Sequence, residues 1–418
     1  MNRTLPFDTA ALRDIARRHP TPFHLYDERA IAGNARRFLD AFAWNQGFRQ
    51  YFAVKATPTP AIVSLLHGLG MGMDCSSLAE LELCRRLGIA GQDVMFTSND
   101  TAAAEFRLAA RMGAIVNLDD LSHIDFLERA AGLPRTLCLR YNPGDPAIGN
   151  AIIGTPCQAK FGIPRDQLLQ GYALLAAKGV QRFGLHTMVV SNELNSDAFV
   201  AVAELMFELA VAVRDRTGVR VDFINLGGGL GIPYRPEQRP IDVGLLSERI
   251  RDAYQRIIVP GGLHPVRLFT ECGRYITGPY GWLVARVLHR KRTYKEFVGL
   301  DASMADLMRP GMYGAYHHVT VAGKEHLPCD MVYDLTGSLC ENNDKFAVDR
   351  PLPAIEPGDL VVIHDTGAHG HAMGFNYNGK LRSAELLLRP DGSTVQIRRA
   401  ERLEDYFATV SFEGVVGR

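Results

Sequence analysis

No apolar run in these 418 residues approaches the length needed to cross a bilayer. The opening Met1-Asn-Arg-Thr-Leu-Pro6 carries no apolar signal segment. Neither sign of charge is in excess: 46 lysines and arginines face 46 aspartates and glutamates, so no bulk field draws the chain to nucleic acid or anionic lipid. The basic stretch His289-Arg-Lys-Arg292 is short enough to be a solvated strand end. The cysteines (75, 84, 138, 157, 272, 329 and 340) are odd in number and lack the pairing of a zinc site or a disulfide framework. No internal repeat or low-complexity segment interrupts the chain. Together these absences exclude a membrane protein, a nucleic-acid binder and a disulfide scaffold. They predict a metal-free protein in a reduced, cytoplasmic setting.

What remains is ordinary globular material, 47% hydrophobic and 22% charged, long enough for two domains. From about residue 48 to 280, apolar strand candidates alternate with amphipathic segments. The strands are Phe48–Ala56, Met71–Cys75, Val94–Ser98, Ala114–Leu118, Thr136–Asn142, Arg182–Val190, Val221–Leu226 and Val266–Glu271. The intervening helical patterns include Leu78–Leu87, Ala102–Met112, Gln167–Ala177, Ala198–Arg214 and Val243–Ile257. Apolar strands alternating with helices predict a parallel sheet covered by helices, and eight strands fit a closed (β/α)8 TIM barrel. Beyond about residue 282, short β-rich pieces separated by turn clusters such as Glu356-Pro-Gly-Asp359 predict an antiparallel β-barrel or sandwich domain. The expected division is an N-terminal segment, 1–28, contributing to the β domain, a barrel, 29–282, and a β domain, 283–418. Phe23–Asp27 is the strand expected to cross over.

Lys55, in Tyr51-Phe-Ala-Val-Lys-Ala-Thr-Pro58, follows a β-prone run and is stopped by proline. It is either a solvated charge or a desolvated amine. The second is nucleophilic and suited to an aldehyde cofactor. The last residues of the other strands are polar as well: Asp74 and Cys75, Asn99, Asp119, Arg140 and Asn142, His186, glycines 227–229, then Glu271, Gly273 and Arg274. In a barrel those strand ends form the active face.

Leu226-Gly-Gly-Gly-Leu-Gly-Ile232 lets backbone N–H groups approach an anion. The spacing departs from the dinucleotide fingerprint and Pro233 and Pro236 follow, so a monophosphate is expected rather than NAD; a tight turn without ligand is the alternative. Thr270-Glu-Cys-Gly-Arg274 offers an acid for a protonated ring nitrogen, a glycine N–H for phosphate and an arginine for a carboxylate. A surface ion pair between Glu271 and Arg274 is the competing account.

In combination these elements resemble the pyridoxal 5'-phosphate (PLP)-dependent decarboxylases of the alanine-racemase-like barrel fold, the diaminopimelate and ornithine decarboxylase family. The likeness covers nearly the whole chain. It rests on Tyr51–Lys55, Asp74-Cys-Ser-Ser-Leu-Ala-Glu80, Asn225–Gly231, Glu271–Arg274, Asp301–Pro310 with Tyr313 and His317, Leu339-Cys-Glu341, Asp365-Thr-Gly-Ala368 and Asn376-Tyr-Asn378. The resemblance implies a homodimer with active sites built from both chains, and a small amino-acid substrate. It implies that Lys55 holds the cofactor through a C=N bond, with Asp74, Glu80, His186 and Ser191 around it. Glu271 keeps the pyridine nitrogen protonated. Gly228, Gly229, Gly273, Arg274 and Tyr377 match the phosphate positions. Cys340 matches the thiol that arrives from the partner subunit and protonates the carbanion; as an isolated cysteine it reads only as an inert thiol.

For the far end of the substrate, Arg274, Arg309, Tyr313 and Tyr377 match the family's substrate-binding positions and Glu341 its ammonium-binding one. That set suits meso-2,6-diaminopimelate, decarboxylated to L-lysine in lysine biosynthesis. A structural bond is the alternative role for Arg309. The chain departs from the family at Gly184-Leu-His-Thr-Met-Val-Val-Ser191, where His-x-His-x-Gly-Ser is usual and Met188 replaces the histidine that stacks on the ring. Either Met188 covers the ring or His186 is redeployed. His369 stands where tyrosine is common, and Cys272 where proline is. These departures keep open a decarboxylase of another basic amino acid (ornithine, lysine or a D-amino acid) and a non-catalytic regulatory homologue.

Overall fold

The computed structural model describes residues 5–144 and 156–413. Their contacts divide the chain into two compact units: Ile31–Pro233 with Arg239–Ile276, and the residues up to Ala30 with Tyr234–Gln238 and the chain from Thr277 onward. The first strand, β1 (Phe23–Asp27), belongs to the second unit.

The first unit is a closed parallel barrel in chain order: β2 (Arg49–Ala53), β3 (Gly72–Cys75), β4 (Val94–Thr97), β5 (Ile115–Leu118), β6 (Thr136–Tyr141), β7 (Arg182–Thr187), β8 (Phe223–Asn225) and β9 (Arg267–Thr270). Closure comes from β9 pairing with β2, Arg49 opposite Phe269. These strands are short and buried almost throughout, which is why they read as continuous apolar runs rather than alternating ones. Tyr51, Met95, Ile115, Cys138, Phe223 and Phe269 form one buried cluster. The Phe223 and Phe269 rings stack at 4.5 Å. Gly184 on β7 makes room for them: a Cβ there would lie 2.1 Å from the Phe223 ring. A barrel filled this way leaves its chemistry to the strand ends and the loops that follow.

The second unit is a nine-stranded sheet. Its added strands are β10 (Gly281–Arg292), β11 (Glu296–Leu300), β12 (Val319–Val321), β13 (Met331–Thr336), β14 (Lys345–Leu352), β15 (Leu360–Ile363), β16 (Ala384–Leu388) and β17 (Thr394–Arg398), in the order β14-β13-β11-β10-β1-β16-β17 with β15 joined to β10 and β12. Alternation along β10 feeds two cores. Trp282 and Val284 pack with Phe23, Leu25 and Leu12; Leu283, Ala285 and Val287 pack with Val298, Leu335 and Val361. The expected crossover of Phe23–Asp27 into this sheet is observed. The sheet is mixed rather than wholly antiparallel, because β1–β16 and β11–β13 pair in parallel. β14 escapes sequence reading because Lys345, Asp349 and Arg350 break its apolar alternation and Asp349 takes a φ of 47°. Among the described residues no helix is long and apolar enough to cross a membrane.

A buried polar cluster ties β1 to β16. Tyr26 donates to Glu385 Oε1 at 2.6 Å, and Arg398 pairs with the same carboxylate. His371 Nε2 donates to Ser383 O at 3.0 Å, and its Nδ1 accepts from Arg382 at 2.8 Å. Burial pushes His24 down to about 4 and His371 down to about 3. Burial raises Glu385, but His371, Arg398 and Tyr26 outweigh it and bring the carboxyl down to about 2. Lowered histidines and a lowered carboxyl contribute stability present above their unfolded values, about 6.5 and 4.5, and lost as pH falls from there through the folded values of about 4, 3 and 2. Asp306, pushed up by burial to about 6, acts oppositely and is relieved as pH falls from about 6 to 4. Two histidines outweigh one aspartate, so the net expectation is a thermal unfolding midpoint that declines as pH falls from about 6 to 4 and falls more steeply below pH 4, where Glu385 adds to the loss. A midpoint flat from pH 4 to 2.5 in scanning calorimetry would refute this account.

Candidate active site

Strand ends and their following turns place the candidate groups of the barrel. Lys55 lies on a 3-10 turn, Val54–Ala56, immediately after β2. The strand predicted to run to Ala56 stops at Ala53 because Thr57 N–H closes the turn on Val54 O at 3.1 Å. Lys55 is exposed although its neighbours Val54 and Ala56 are buried, so desolvation of the amine, one of the two sequence readings, is not what the chain alone presents. What faces Lys55 is negative charge, from Asp74, Glu80 and Glu271.

Glu271 follows β9 and is buried, its side chain only 6% exposed. His186 Nε2 on β7 donates to Oε2 at 3.1 Å and Asn225 Nδ2 on β8 donates to Oε1 at 2.7 Å. Burial pushes the Glu271 carboxyl up, but the charge and hydrogen bond of His186, the Asn225 bond and the Lys55 charge outweigh it and hold it below the usual value. The alternative of a surface ion pair with Arg274 is thereby corrected: the acid points into the barrel, while Arg274 is half-buried at the start of the short helix Arg274–Thr277. Asp74, at the end of β3, goes the other way. Burial and then the Glu271 charge raise it well above the ordinary range, against the pull of Lys55 and Arg140. The proton affinities of two buried carboxyls in one site are thus driven apart, Asp74 upward and Glu271 downward, which is the pattern of acid–base assignments in active sites. Asp74 Oδ1 and His186 Nδ1 are buried without a hydrogen-bond partner among the described residues.

Glu80 is half-buried in the first turn of the helix Leu78–Arg86. Its carboxylate accepts from Ser76 N at 2.7 Å while its own N–H donates to Ser77 Oγ, so it also caps the helix that follows β3. Arg140 and Asp119, two more strand-end residues, pair with each other at 3.1 Å. Ser191 is half-buried on the loop after β7.

The glycine loop is pressed between two backbones. A Cβ on Gly228 would lie 2.3 Å from Glu271 O, and one on Gly229, whose φ is 97°, would lie 2.3 Å from Val190 O. Only glycine fits at either position. Glu271 N–H donates to Gly227 O at 2.8 Å, which zips the loop to the acid. Gly273 is buried against Ala53 and Ala56, on the turn that carries Lys55. One barrel rim therefore holds an amine, an ionised buried carboxylate, a glycine cradle with backbone donors, and unpartnered buried polar atoms. That set fits a phosphorylated pyridine aldehyde.

Sequence reasoning gave no role to two supporting residues. Asn225 holds Glu271 and also accepts from Gly227 N at 2.9 Å. Gln50 on β2 accepts from Thr270 Oγ1 at 2.6 Å and donates to Cys272 O at 2.7 Å, holding the residues on either side of Glu271. The available signal for both is an amide side chain buried within an apolar strand.

The remaining candidates lie in the second unit. Cys340 and Glu341 are exposed, Tyr313 is 64% exposed and Tyr377 47%. Cys340 N–H donates to Asn378 Oδ1 at 2.6 Å. The Tyr377 hydroxyl bonds to Glu341, which raises the phenol, so two residues separated by 36 positions are brought together. Arg309 is buried; it donates to His317 Nε2 at 3.0 Å and lies over the Tyr234 ring at 4.7 Å. His371 is bound to Arg382 and Ser383, and His369, at the position where tyrosine is common, takes a φ of 56°.

A (β/α)8 barrel with this rim defines a class: an enzyme that binds PLP at its strand ends. Residues 28–278 match the family model described as pyridoxal-dependent decarboxylase, pyridoxal binding domain. The chain belongs to that family, and its cofactor is PLP. Over 404 residues it is 47% identical to Protein TabA of Pseudomonas amygdali pv. tabaci, covering 97% of this chain and 94% of that one. It is 32% identical to diaminopimelate decarboxylase of Methanothermobacter thermautotrophicus, covering 94% and 92%. Among solved structures, Helicobacter pylori diaminopimelate decarboxylase complexed with L-lysine superposes with a TM-score of 0.87 at 27% identity, covering 95% of this chain and 98% of that one.

Proposed function

We propose that this decarboxylase acts on meso-2,6-diaminopimelate, releasing CO2 and L-lysine, as the lysine-forming step of lysine biosynthesis. The observation that carries the chemistry is the ionised, buried Glu271 held by His186 and Asn225 beside a glycine cradle. Bound PLP supplies an aldehyde that captures an amine and a pyridinium ring that accepts the electrons of a breaking Cα–carboxylate bond. Lys55 provides the resident amine and yields its place to the substrate amine. Glu271 keeps a proton on the ring nitrogen, and an ionised carboxylate in a dry site does this at little reorganisation cost. Gly228, Gly229, Gly273, Ser191, Arg274 and Tyr377 bind the phosphate through N–H, hydroxyl and guanidinium donors. Asp74, Glu80 and His186 complete the wall of the site. The Cys340 thiol protonates Cα after CO2 leaves. Arg274, Arg309, Tyr313 and Tyr377 hold the substrate, and Glu341 meets its distal ammonium.

Cys340 and Glu341 are exposed on their own chain, as residues serving a partner's site must be, which supports a homodimer with shared sites. All seven cysteines are free, which supports a reduced, cytoplasmic location. The relatives named diaminopimelate decarboxylase support this substrate. The higher identity to TabA, together with Met188 and Val190 in place of the usual His and Gly, favours a second reading: a decarboxylase of another amino acid on the same machinery.

Product analysis decides between them. Purified protein is supplied separately with meso-diaminopimelate, L-lysine, D-lysine and L-ornithine. The expected result is CO2 and L-lysine from diaminopimelate alone. CO2 from another substrate and none from diaminopimelate selects the second reading.

A further inference from the structure

The backbone N–H of Gly228 is one of the donors assigned above to the phosphate. In this chain it donates to Met188 Sδ at 3.2 Å. Met188 is half-buried on the segment after β7, and its sulfur also stands 3.2 Å from where a Cβ on Gly227 would be. Two residues on, Val190 presses its carbonyl and Cγ2 onto Gly229. In this structure His186 meets Glu271, and the Met188 sulfur meets the glycine loop.

A thioether sulfur is a weak acceptor, whereas a phosphate oxygen at a backbone N–H makes a charge-assisted bond. One amide cannot serve both fully. We infer that Met188 is a cofactor-positioning residue whose sulfur competes with the phosphate for the Gly228 amide and so weakens retention of PLP. The inference rests on the reading of the glycine loop as the phosphate cradle. The strength of the competition follows from the kind of acceptor at position 188. Leucine keeps the volume and removes the acceptor. Glutamine is similar in length and offers a carbonyl, a better acceptor than sulfur. The two substitutions therefore move affinity in opposite directions.

The test strips the full-length enzyme of cofactor with hydroxylamine and titrates it with PLP, following the visible cofactor band and tryptophan fluorescence. For Met188→Leu the dissociation constant should fall about three- to tenfold, the range set by one neutral hydrogen bond. For Met188→Gln it should rise by a similar factor. Titration with pyridoxal, which lacks the phosphate, should give the same constant in all three proteins. A side chain that only packs would weaken PLP binding in both variants and would shift pyridoxal as well; that result overturns the inference, as does an unchanged constant in Met188→Leu. Thermal unfolding of the stripped proteins checks their folding, and if the glutamine variant does not fold, the leucine variant alone decides. Failure of the unaltered protein to bind PLP would instead overturn the reading of the cradle, a separate outcome.

Discussion

Lys55→Ala is expected to abolish the visible absorption that belongs to the lysine–cofactor C=N bond and to lower decarboxylation on the order of 10^3-fold or more, as removal of a covalent catalytic group does elsewhere. The protein should otherwise be intact. Lys55 is exposed on a 3-10 turn closed by a backbone bond between Thr57 and Val54, so its side chain contributes no packing to the barrel. Cofactor can still reside in the variant through its phosphate and ring contacts, but borohydride should no longer fix it to the chain. Spectra, borohydride trapping with peptide mapping, and CO2 release measure the three consequences. A variant that retains the band and turns over at a rate within tenfold of the unaltered protein would remove Lys55 from the chemistry.

Replacing Glu271 carries the second large effect, and the choice of replacement separates chemistry from folding. Glu271→Gln keeps the shape and can still meet Asn225 and His186, but it carries no charge to keep a proton on the ring nitrogen. We expect kcat to fall by about 10^2–10^3-fold, the usual cost of removing a preorganised electrostatic partner, with a small change in unfolding temperature. Glu271→Ala also strands His186, whose Nδ1 already lacks a partner, and leaves Asn225 bound only through its other contacts. Breaking a buried pair by removing one member typically costs about 3–5 kcal/mol, so the alanine variant should be visibly less stable. Steady-state kinetics and thermal unfolding on both variants test this. Near-normal kcat in Glu271→Gln would contradict the role given to the carboxylate.

Several features of the site were readable only as residue types at strand ends. The run Thr270–Arg274 announces an acid, a glycine and an arginine but not their directions. Depth is a tertiary property: Glu271 is held below the usual carboxylate value because β7 and β8 bring His186 and Asn225 against it, from 85 and 46 positions earlier in the chain. The same acid raises Asp74, which lies about 200 positions earlier. Lys55 was legible as the amine, but the choice between a solvated and a desolvated one was settled only by a backbone bond that converts the last three predicted strand residues into a turn. Arg309 was legible as a cation but not as one seated on Tyr234 and His317. Gln50 was overlooked because a lone glutamine in an aromatic strand carries no periodic signal.

The alternation of apolar strands with amphipathic helices, and the change to short β pieces after residue 282, were sufficient to specify a barrel followed by a sheet domain. Periodicity is local, and burial on both faces imposes it on every strand of a parallel barrel. The lysine, the glycine run and the acid were equally visible, since each depends on a short stretch of chain. What only the folded chain decided is how distant groups act on one another. Proton affinities are set by neighbours within a few ångströms and by exclusion of water, and those neighbours come from different strands. The same holds for the Met188 contact with Gly228, which spans 40 positions and follows from two loops meeting above the barrel.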